Sequence, residues 1–545
     1  MSNICLIQPP IEDFYTTNSR NVPFGLLSIG AALTPRHKVH LLDLRCGHAH
    51  KIPIPPELHV VEPYYRPDDA SPFSLYKSYQ RFGLTLKQIA AVLPVDADVF
   101  LISALFSTYV PETLEIISLI REKYPNSTII SGGSGAIFHP EEFFAAGVDF
   151  IINGEGEIAV PRLLAELESD APNFNSVPNL IWRTNGKIQQ TPTIPITNLD
   201  TLPFPDYTLR GVPQYFFNGR QHAILMTSRG CPYNCTFCSI HHLFGTQYRL
   251  RSVSNVLSEM KEKISQGFRS FDFEDDHFGG NKAWLKQLLD GISEHFGKYN
   301  LALQAMNGIN VNNLDNEVLL KMKQAGFSAL NLSLVTPKRL RQDALQRPFD
   351  TRQFTAIVAA AHQIGLKITA YLIIGLPGDT VEDNLRAILF LADLPVLIGP
   401  SLFYLVPGTP IFNELQNQGK IPAAVRCYRA SFFPYEQPDF SRKSALTLFR
   451  ICRIINFLKA INEYNYQPAK YQIINNAVVM PPGLSGQQNR ITLGFALLES
   501  LKQTRTLYGT GRKQGNSYPL VEEKYTKDLL DRFLKSGAGL FDIIQ

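Results

Sequence analysis

The stretch TSRGCPYNCTFCSIHH, residues 227–242, places three of the chain's seven cysteines, Cys231, Cys235 and Cys238, within eight residues, spaced C-x3-C-x2-C. Gly230 precedes the first, and an aromatic residue, Phe237, stands just before the last. Three neighbouring thiols cannot all pair with one another, and the cysteine total is odd, so a disulfide framework does not account for them. Two metal readings are open. With His241 or His242 as a further ligand, the thiolates make a tetrahedral zinc set, although structural zinc sites usually bring their ligands in two separated pairs. Alternatively, thiolates at short loop spacing hold an iron–sulfur cluster, and a three-thiolate loop leaves one iron of a four-iron cluster open for chemistry.

The chain around this loop has 545 residues, too many for one ordinary core, so several domains are expected. A net charge of +4 on this length gives no reason to expect a nucleic-acid or membrane-surface partner. The N-terminus, MSNICLIQPP, lacks the succession of basic, apolar and small residues of a signal peptide. No apolar run reaches the roughly 18 residues a spanning helix needs. A cytoplasmic protein with no membrane span and no nucleic acid is the expectation.

Downstream of the cysteines, strands and helices alternate. AILMTSRG (223–230) is an apolar run ending at the cysteine loop, and VSNVLSEMKEKISQG (253–267) has helical spacing and stops at a glycine. FRSFDFEDD (268–276) reads as a strand with acidic residues at its carboxyl end, and the alternation continues through KITAYLIIGLPG (367–378) to VLIGPSLFYLVPG (396–408). Six such units predict a parallel sheet curled into a partial barrel, with reacting groups at the carboxyl ends of the strands.

The cysteine spacing with its aromatic neighbour resembles the signature of the radical S-adenosylmethionine (SAM) enzymes. The resemblance implies that Cys231, Cys235 and Cys238 hold a 4Fe-4S cluster, that SAM chelates its open iron, and that Phe237 lies near the adenine. It further implies that Glu274 and Asp275, with Asp276, hold the methionine amine, and that the backbone of Ile374–Gly375 reads the adenine. Ser333 falls where relatives carry a Gly-x-Glu-Ser-like stretch, but here the run is Ser333-Leu334-Val335-Thr336, and the usual carboxylate is missing at Val335.

Upstream, ICLIQPP (4–10), KVHLLDL (38–44), ADVFLISAL (97–105), STIISGG (127–133) and VDFIINGEGE (148–157) read as strands, with helices at FGLLSIGAAL (24–33) and PETLEIISLIREKYP (111–125). This predicts a doubly wound Rossmann-like domain. Within it, Ser103-Ala104-Leu105, then Ser131-Gly132-Gly133, then Gly154-Glu155 resemble the S-x-L … G-G pattern of cobalamin-binding Rossmann domains, in which these residues hold the nucleotide tail. The D-x-H-x-x-G member of that pattern is absent: the loop after the first strand, QPPIEDFYTTNSRNVPFG (8–25), has no histidine, and His48 fits neither in spacing nor in position. Cobalamin is therefore expected base-off, without a histidine on cobalt. The combination is similar to the cobalamin-dependent radical SAM enzymes. The related tRNA methylthiotransferases carry three more cysteines in the N-terminal domain, where this chain has only Cys5 and Cys46.

The expected organisation is α/β throughout most of the chain: a cobalamin-binding domain at 1–164, a proline-rich linker at 165–220, a partial (β/α)6 TIM-like barrel at 221–420 and a mainly helical substrate-specificity domain at 421–545. The basic run GTGRKQG (509–515) reads as a solvated loop, Cys452 as core, and Cys427 as a thiol with access to the active site as one option. The resemblance implies a methyltransferase that methylates an unactivated carbon of a small biosynthetic intermediate through a 5′-deoxyadenosyl radical and methylcobalamin, with flavodoxin or ferredoxin as electron donor. Cyclisation, rearrangement or oxidation without methyl transfer is the alternative within the family, and a cluster- or zinc-bearing cobalamin sensor the alternative outside it. No protein catalytic residue is assigned by the sequence.

Overall fold

The computed structural model describes residues 1–15, 21–47, 49–347, 349–537 and 539–541; His48 and part of the loop after the first strand lie outside the described residues. The N-terminal sheet is built from β1 (Asn3–Gln8), β2 (Lys38–Asp43), β3 (Val99–Ser103), β4 (Thr128–Gly132), β5 (Phe150–Ile152), β6 (Leu180–Thr184) and β7 (Lys187–Gln190), in the order β7-β6-β5-β4-β3-β1-β2. Its first five strands are parallel; the cores of β1, β3, β4 and β5 are buried on both faces, as their unbroken apolar runs require, while the edge strand β2 is buried only at Leu41. Helices α1 (Phe24–Leu33) and α3 (Gly156–Leu167) cover one face, and α2 (Val110–Lys123) the other. The hairpin β6–β7 is antiparallel and adds to the edge of this sheet, with Trp182 opposite Phe150. It arises inside the stretch expected as a linker. The apolar run Leu180 to Trp182, buried throughout, makes it sheet, and the connector is confined to the residues after Gln190.

The second unit has six parallel strands in chain order: β8 (Arg220–Leu225), β9 (Ser270–Phe273), β10 (Ala302–Gln304), β11 (Ala329–Val335), β12 (Lys367–Ile374) and β13 (Leu397–Leu402). Parallel bridges Leu303–Phe327 and Ile309–Leu332 join β10 to β11, so the strands curl into a partial barrel. The helices between them, α4 (Val253–Ser265), α5 (Lys282–Phe296), α6 (Asn316–Ala325), α7 (Thr351–Gln363) and α8 (Val381–Ala392), each start at a side-chain cap: Ser252, Asn281, Asp315, Asp350 and Thr380. Gly326 ends α6 in the left-handed conformation.

The C-terminal part is mainly helical, with α9 (Arg442–Tyr464), α10 (Gly486–Thr504) and α11 (Lys527–Ser536). It also holds a small antiparallel sheet, β14 (Gln472–Ile474), β15 (Ala477–Val479), β16 (Tyr508–Thr510) and β17 (Ser517–Glu522). The run 512–515 is an exposed turn between β16 and β17. Helix α9 packs along β13 and α8, and one continuous hydrophobic core joins the barrel to this region. Among the described residues no helix is long and apolar enough to cross a membrane.

Candidate active site

The cysteine loop leaves β8 under tight control. The Thr227 and Ser228 hydroxyls donate to Asp275 Oδ1 at 2.8 and 2.6 Å. Gly230 has φ +79° and lies so close to the chain that a Cβ would fall 2.3 Å from the Gln247 carbonyl oxygen; its N–H donates to Asp276 Oδ2 at 3.2 Å. Further on, Thr236 N–H donates to Leu345 O, and Ile411 N–H to Thr236 O, each at 3.2 Å. Burial pushes the Cys231 thiol up and the Cys238 thiol to about 11. Thiols so shifted give up their protons on binding metal. Three thiolates at short loop spacing fit a four-iron cluster, which spreads its ligands over separate irons. His242 is turned away, its Nε2 2.9 Å from Gly408 O. The donor set fits a cluster better than zinc. Phe237 is half-buried against the barrel core.

One residue here was not legible in the sequence. Arg347 brings Nη1 to 3.9 Å from Cys235 Sγ and donates through Nη2 to Ser333 O at 3.3 Å. It lies 112 residues from Cys235 in the chain, with no motif to announce it.

The expected SAM contacts meet mixed outcomes. Glu274 sits at the carboxyl end of β9, where Asn307 Nδ2 donates to its carbonyl at 2.9 Å. Asp275 is buried and anchors the loop through Oδ1, so it does not face the barrel mouth; its Oδ2 is buried without a partner, and burial raises the group to about 6. Burial likewise raises Asp276 to about 7. At the end of β11 the register shifts between Ser333 and Val335. Val335 takes φ +64° at the centre of a tight turn closed by Thr336 N–H to Leu334 O at 2.9 Å, an unusual conformation for a β-branched residue. The strain falls at the position where the expected carboxylate is missing.

The backbone of Ile374–Gly375 is already committed. Gly375 N–H donates to Asn384 Oδ1, and Ile374 O accepts from Phe403 N–H, both at 2.9 Å. A Cβ on Gly375, at φ +81°, would lie 2.4 Å from Phe433 Cε2. This glycine admits a phenylalanine ring, which corrects the expectation that its close approach serves adenine. Gly375→Ala should therefore cost about 2–5 kcal/mol, measured by chemical unfolding, from the left-handed backbone and the clash together.

In the N-terminal domain, the segments 103–105 and 132–135 clasp each other at the carboxyl edge of the sheet. Ala104 O accepts from Gly135 N–H at 2.8 Å, and a Cβ on Gly133, at φ +98°, would meet Ala104 O at 2.6 Å. Gly135 is as crowded, with a Cβ 2.9 Å from Ala104 O, and was missed although it completes the run SGGSG. Gly132 has only ordinary contacts there. Ser103 is half-buried, while Leu105 and Phe106 beside it are 56% and 51% exposed, an apolar pair at a strand end that a bound cobalamin would cover. Ser131 is buried and donates to Ile102 O at 3.0 Å, so it ties neighbouring strands rather than reaching a ligand. Gly133→Val should weaken cobalamin binding about tenfold or more, by equilibrium titration, while leaving the iron content of the barrel unchanged.

Gly154-Glu155 requires a second correction. Gly154, at φ +111°, lies against the backbone of the barrel, with Leu243 O 3.1 Å from a notional Cβ. Glu155 is buried and turned into the barrel, where it bonds Arg229 Nη1 at 2.7 Å, Arg249 Nη1 at 2.8 Å and Ile196 N–H at 2.7 Å. Glu157 Oε1 lies 2.5 Å from Arg229 Nη2. Burial opposes the charge of Glu157, but the Arg229 guanidinium holds it below the usual carboxylate range. Arg229 and Arg249 stand directly opposite each other on a short ladder. Like charges so placed repel, and the two glutamates from the other domain offset that repulsion.

The C-terminal part reaches the same edge. Asp13, in the loop after β1, accepts from Tyr109 OH at 2.9 Å and Ser431 Oγ at 3.0 Å, with Arg429 Nη1 at 3.4 Å. Cys427 is buried, 3.5 Å from Glu57 O, and does not reach the barrel mouth; Cys452 is core.

The barrel and its cysteine loop define a radical SAM enzyme: residues 225–391 match the radical SAM superfamily, and residues 85–164 match the B12 binding domain. With both domains in one polypeptide, the chain belongs to the cobalamin-dependent radical SAM enzymes, whose cofactors are a 4Fe-4S cluster, SAM and cobalamin. It is 28% identical to an uncharacterized methyltransferase of Pyrococcus horikoshii over 57% of this chain and 68% of that protein. It is 23% identical to the cytidylyl-2-hydroxyethylphosphonate methyltransferase of Streptomyces wedmorensis over 75% of this chain and 80% of that one. Its fold is that of the cobalamin-dependent SAM radical enzyme OxsB with aqua-cobalamin bound, with a TM-score of 0.62 at 14% identity over all of this chain and 80% of that one.

Proposed function

We propose that the enzyme methylates an unactivated carbon of a small-molecule substrate held between its two cofactor domains. When bound, the cluster with SAM supplies one-electron hydrogen abstraction, and cobalamin supplies a methyl group for transfer. The observation that carries the reading is the Glu155–Glu157–Arg229–Arg249 network, which fastens the cobalamin domain to the strand entering the cysteine loop, two residues ahead of Cys231. The chain thereby fixes the distance between the two sites, and a substrate between them meets both. Methyl transfer agrees with the names of both curated relatives.

In this reading Cys231, Cys235 and Cys238 hold the cluster, and Glu274, Ser333, Phe237 and Arg347 surround SAM. Ser103–Leu105 and Gly132–Gly133 hold the cobalamin tail. The division is a cobalamin domain at 1–164 with the hairpin 180–190 added, the barrel at 221–420 and a specificity region at 421–545. The electron donor is a small redox protein such as flavodoxin or ferredoxin, in the cytoplasm. Cobalamin is bound base-off with no histidine on cobalt, since neither the described part of the loop after β1 nor its remainder in the sequence contains one.

Two measurements test this. Cell extracts incubated with reconstituted enzyme and SAM should gain a species one methyl group heavier; a product changed only by loss of hydrogen would replace methyl transfer with oxidation or ring closure. Electron paramagnetic resonance of the cobalt(II) form should lack axial nitrogen splitting, and its presence would overturn the base-off assignment.

A further inference from the structure

Helix α9 presents Phe449, Arg453 and Phe457 on one face, at intervals of four residues. Phe449 lies 6.3 Å from Tyr76, and Phe457 lies 5.4 Å from Phe73, ring centre to ring centre. Arg453 between them touches the Phe449 ring, at 5.1 Å from its centre. Tyr76 in turn stacks on Tyr15 at 5.0 Å and 8°, and Tyr15, in the loop after β1, is 42% exposed. This face of α9 therefore looks onto the loop at the carboxyl edge of the cobalamin domain. From α10, Gly494 meets the Phe457 ring, and Arg490 stands one turn earlier.

The charges here do not balance. Arg450 is paired with Glu523 at 2.5 Å. Arg453 is half-buried, and among the described residues neither it nor Arg490 has a carboxylate or hydrogen-bond partner. Burial comes first in holding Arg453 below its ordinary range, and the Arg490 and Arg450 charges add to it; the groups that oppose this are the neutral phenols of Tyr76 and Tyr65. A guanidinium drawn out of water without an anion is costly, and the cost is recovered when a planar oxyanion arrives with matching geometry.

We propose that Arg453 and Arg490 bind a doubly charged oxyanion of the substrate, a phosphate monoester or its equivalent, with the Tyr15–Tyr76 pair against the neighbouring apolar part. This rests on the reading of residues 421–545 as the substrate-specificity region. Two guanidinium groups without an acid between them favour a dianion over a monocarboxylate.

The test is calorimetric titration of the reconstituted holoenzyme with phenyl phosphate, and with benzoate as the singly charged analogue. Phenyl phosphate should bind saturably and more tightly than benzoate. Arg453→Gln and Arg490→Gln should each weaken it about tenfold or more, and Arg453→Lys should recover part of the loss. Absence of saturable binding, equal binding of benzoate, or unchanged binding in the variants would each overturn the proposal. Arg490 is exposed, so its variant decides the matter if Arg453→Gln does not fold. Reductive SAM cleavage by the wild-type preparation is read alongside. Cleavage without phenyl phosphate binding removes the subsite alone, and binding without cleavage removes the enzymatic reading instead.

Discussion

Changing Cys231, Cys235 or Cys238 singly to alanine should abolish reductive cleavage of SAM, leaving 5′-deoxyadenosine formation at background. In the proposed site each thiolate would hold a different iron, so no neighbour would substitute for the one removed. The loop offers no replacement either. Asp276 is committed to Gly230 N–H, and His242 to Gly408 O. Within the loop the backbone of Thr236 is pinned through its N–H to Leu345 and through its carbonyl to Ile411, so it has little freedom to bring another ligand in. Iron content should fall with activity, while cobalamin binding, which belongs to the other domain, should persist. A variant that formed 5′-deoxyadenosine at the wild-type rate would remove that cysteine from the cluster.

The second large effect concerns Arg229. Arg229→Met should destabilise the protein by about 3–5 kcal/mol, because it leaves buried carboxylates without their cation. Glu157 loses its guanidinium altogether, and Glu155 retains only Arg249. The pH dependence identifies the cause. In the wild type, Glu157 is held below the usual carboxylate range, so its stabilising contribution is present above its unfolded pKa and lost as pH falls through the folded value. In the variant, burial without Arg229 raises the carboxyl instead, so the variant gains stability on acidification relative to the wild type. The difference between the two proteins in chemical unfolding should therefore shrink below about pH 5. A gap that stayed constant from neutral pH to pH 4 would show that lost packing, not unpaired charge, is responsible.

Much of this was legible in the sequence, for physical reasons that differ by region. The parallel strands announce themselves because they are buried on both faces and must be apolar throughout, as in VFLIS and TIISG. Barrel helices end at caps and glycines with local conformational demands, such as Asp315 and Gly326. Cysteine spacing fixes the cluster loop for the same reason: ligands close in sequence are close in space.

What escaped was non-local or two-valued. Glu155 reads as part of a cobalamin loop because nothing near it reveals Arg229 and Arg249, which are 74 and 94 residues away. Glycines are two-valued: Gly133 and Gly375 both need close approach, but the neighbour is a backbone carbonyl in one case and the Phe433 ring in the other. Arg347 and Arg453 carry no motif, and only folding brings one to Cys235 and leaves the other without an anion. The hairpin β6–β7 was obscured by the proline-rich stretch that follows it.

In the proposed reaction one polypeptide couples radical SAM chemistry to cobalamin-borne methyl transfer. The direct test is to incubate the reconstituted holoenzyme, a chemical reductant and cell extract with SAM carrying a deuterated methyl group. The prediction is a product bearing the intact deuterated methyl, formed together with equal amounts of 5′-deoxyadenosine and S-adenosylhomocysteine, and only when cobalamin is present. Product formation without the label, or labelled product formed equally well without cobalamin, would contradict it.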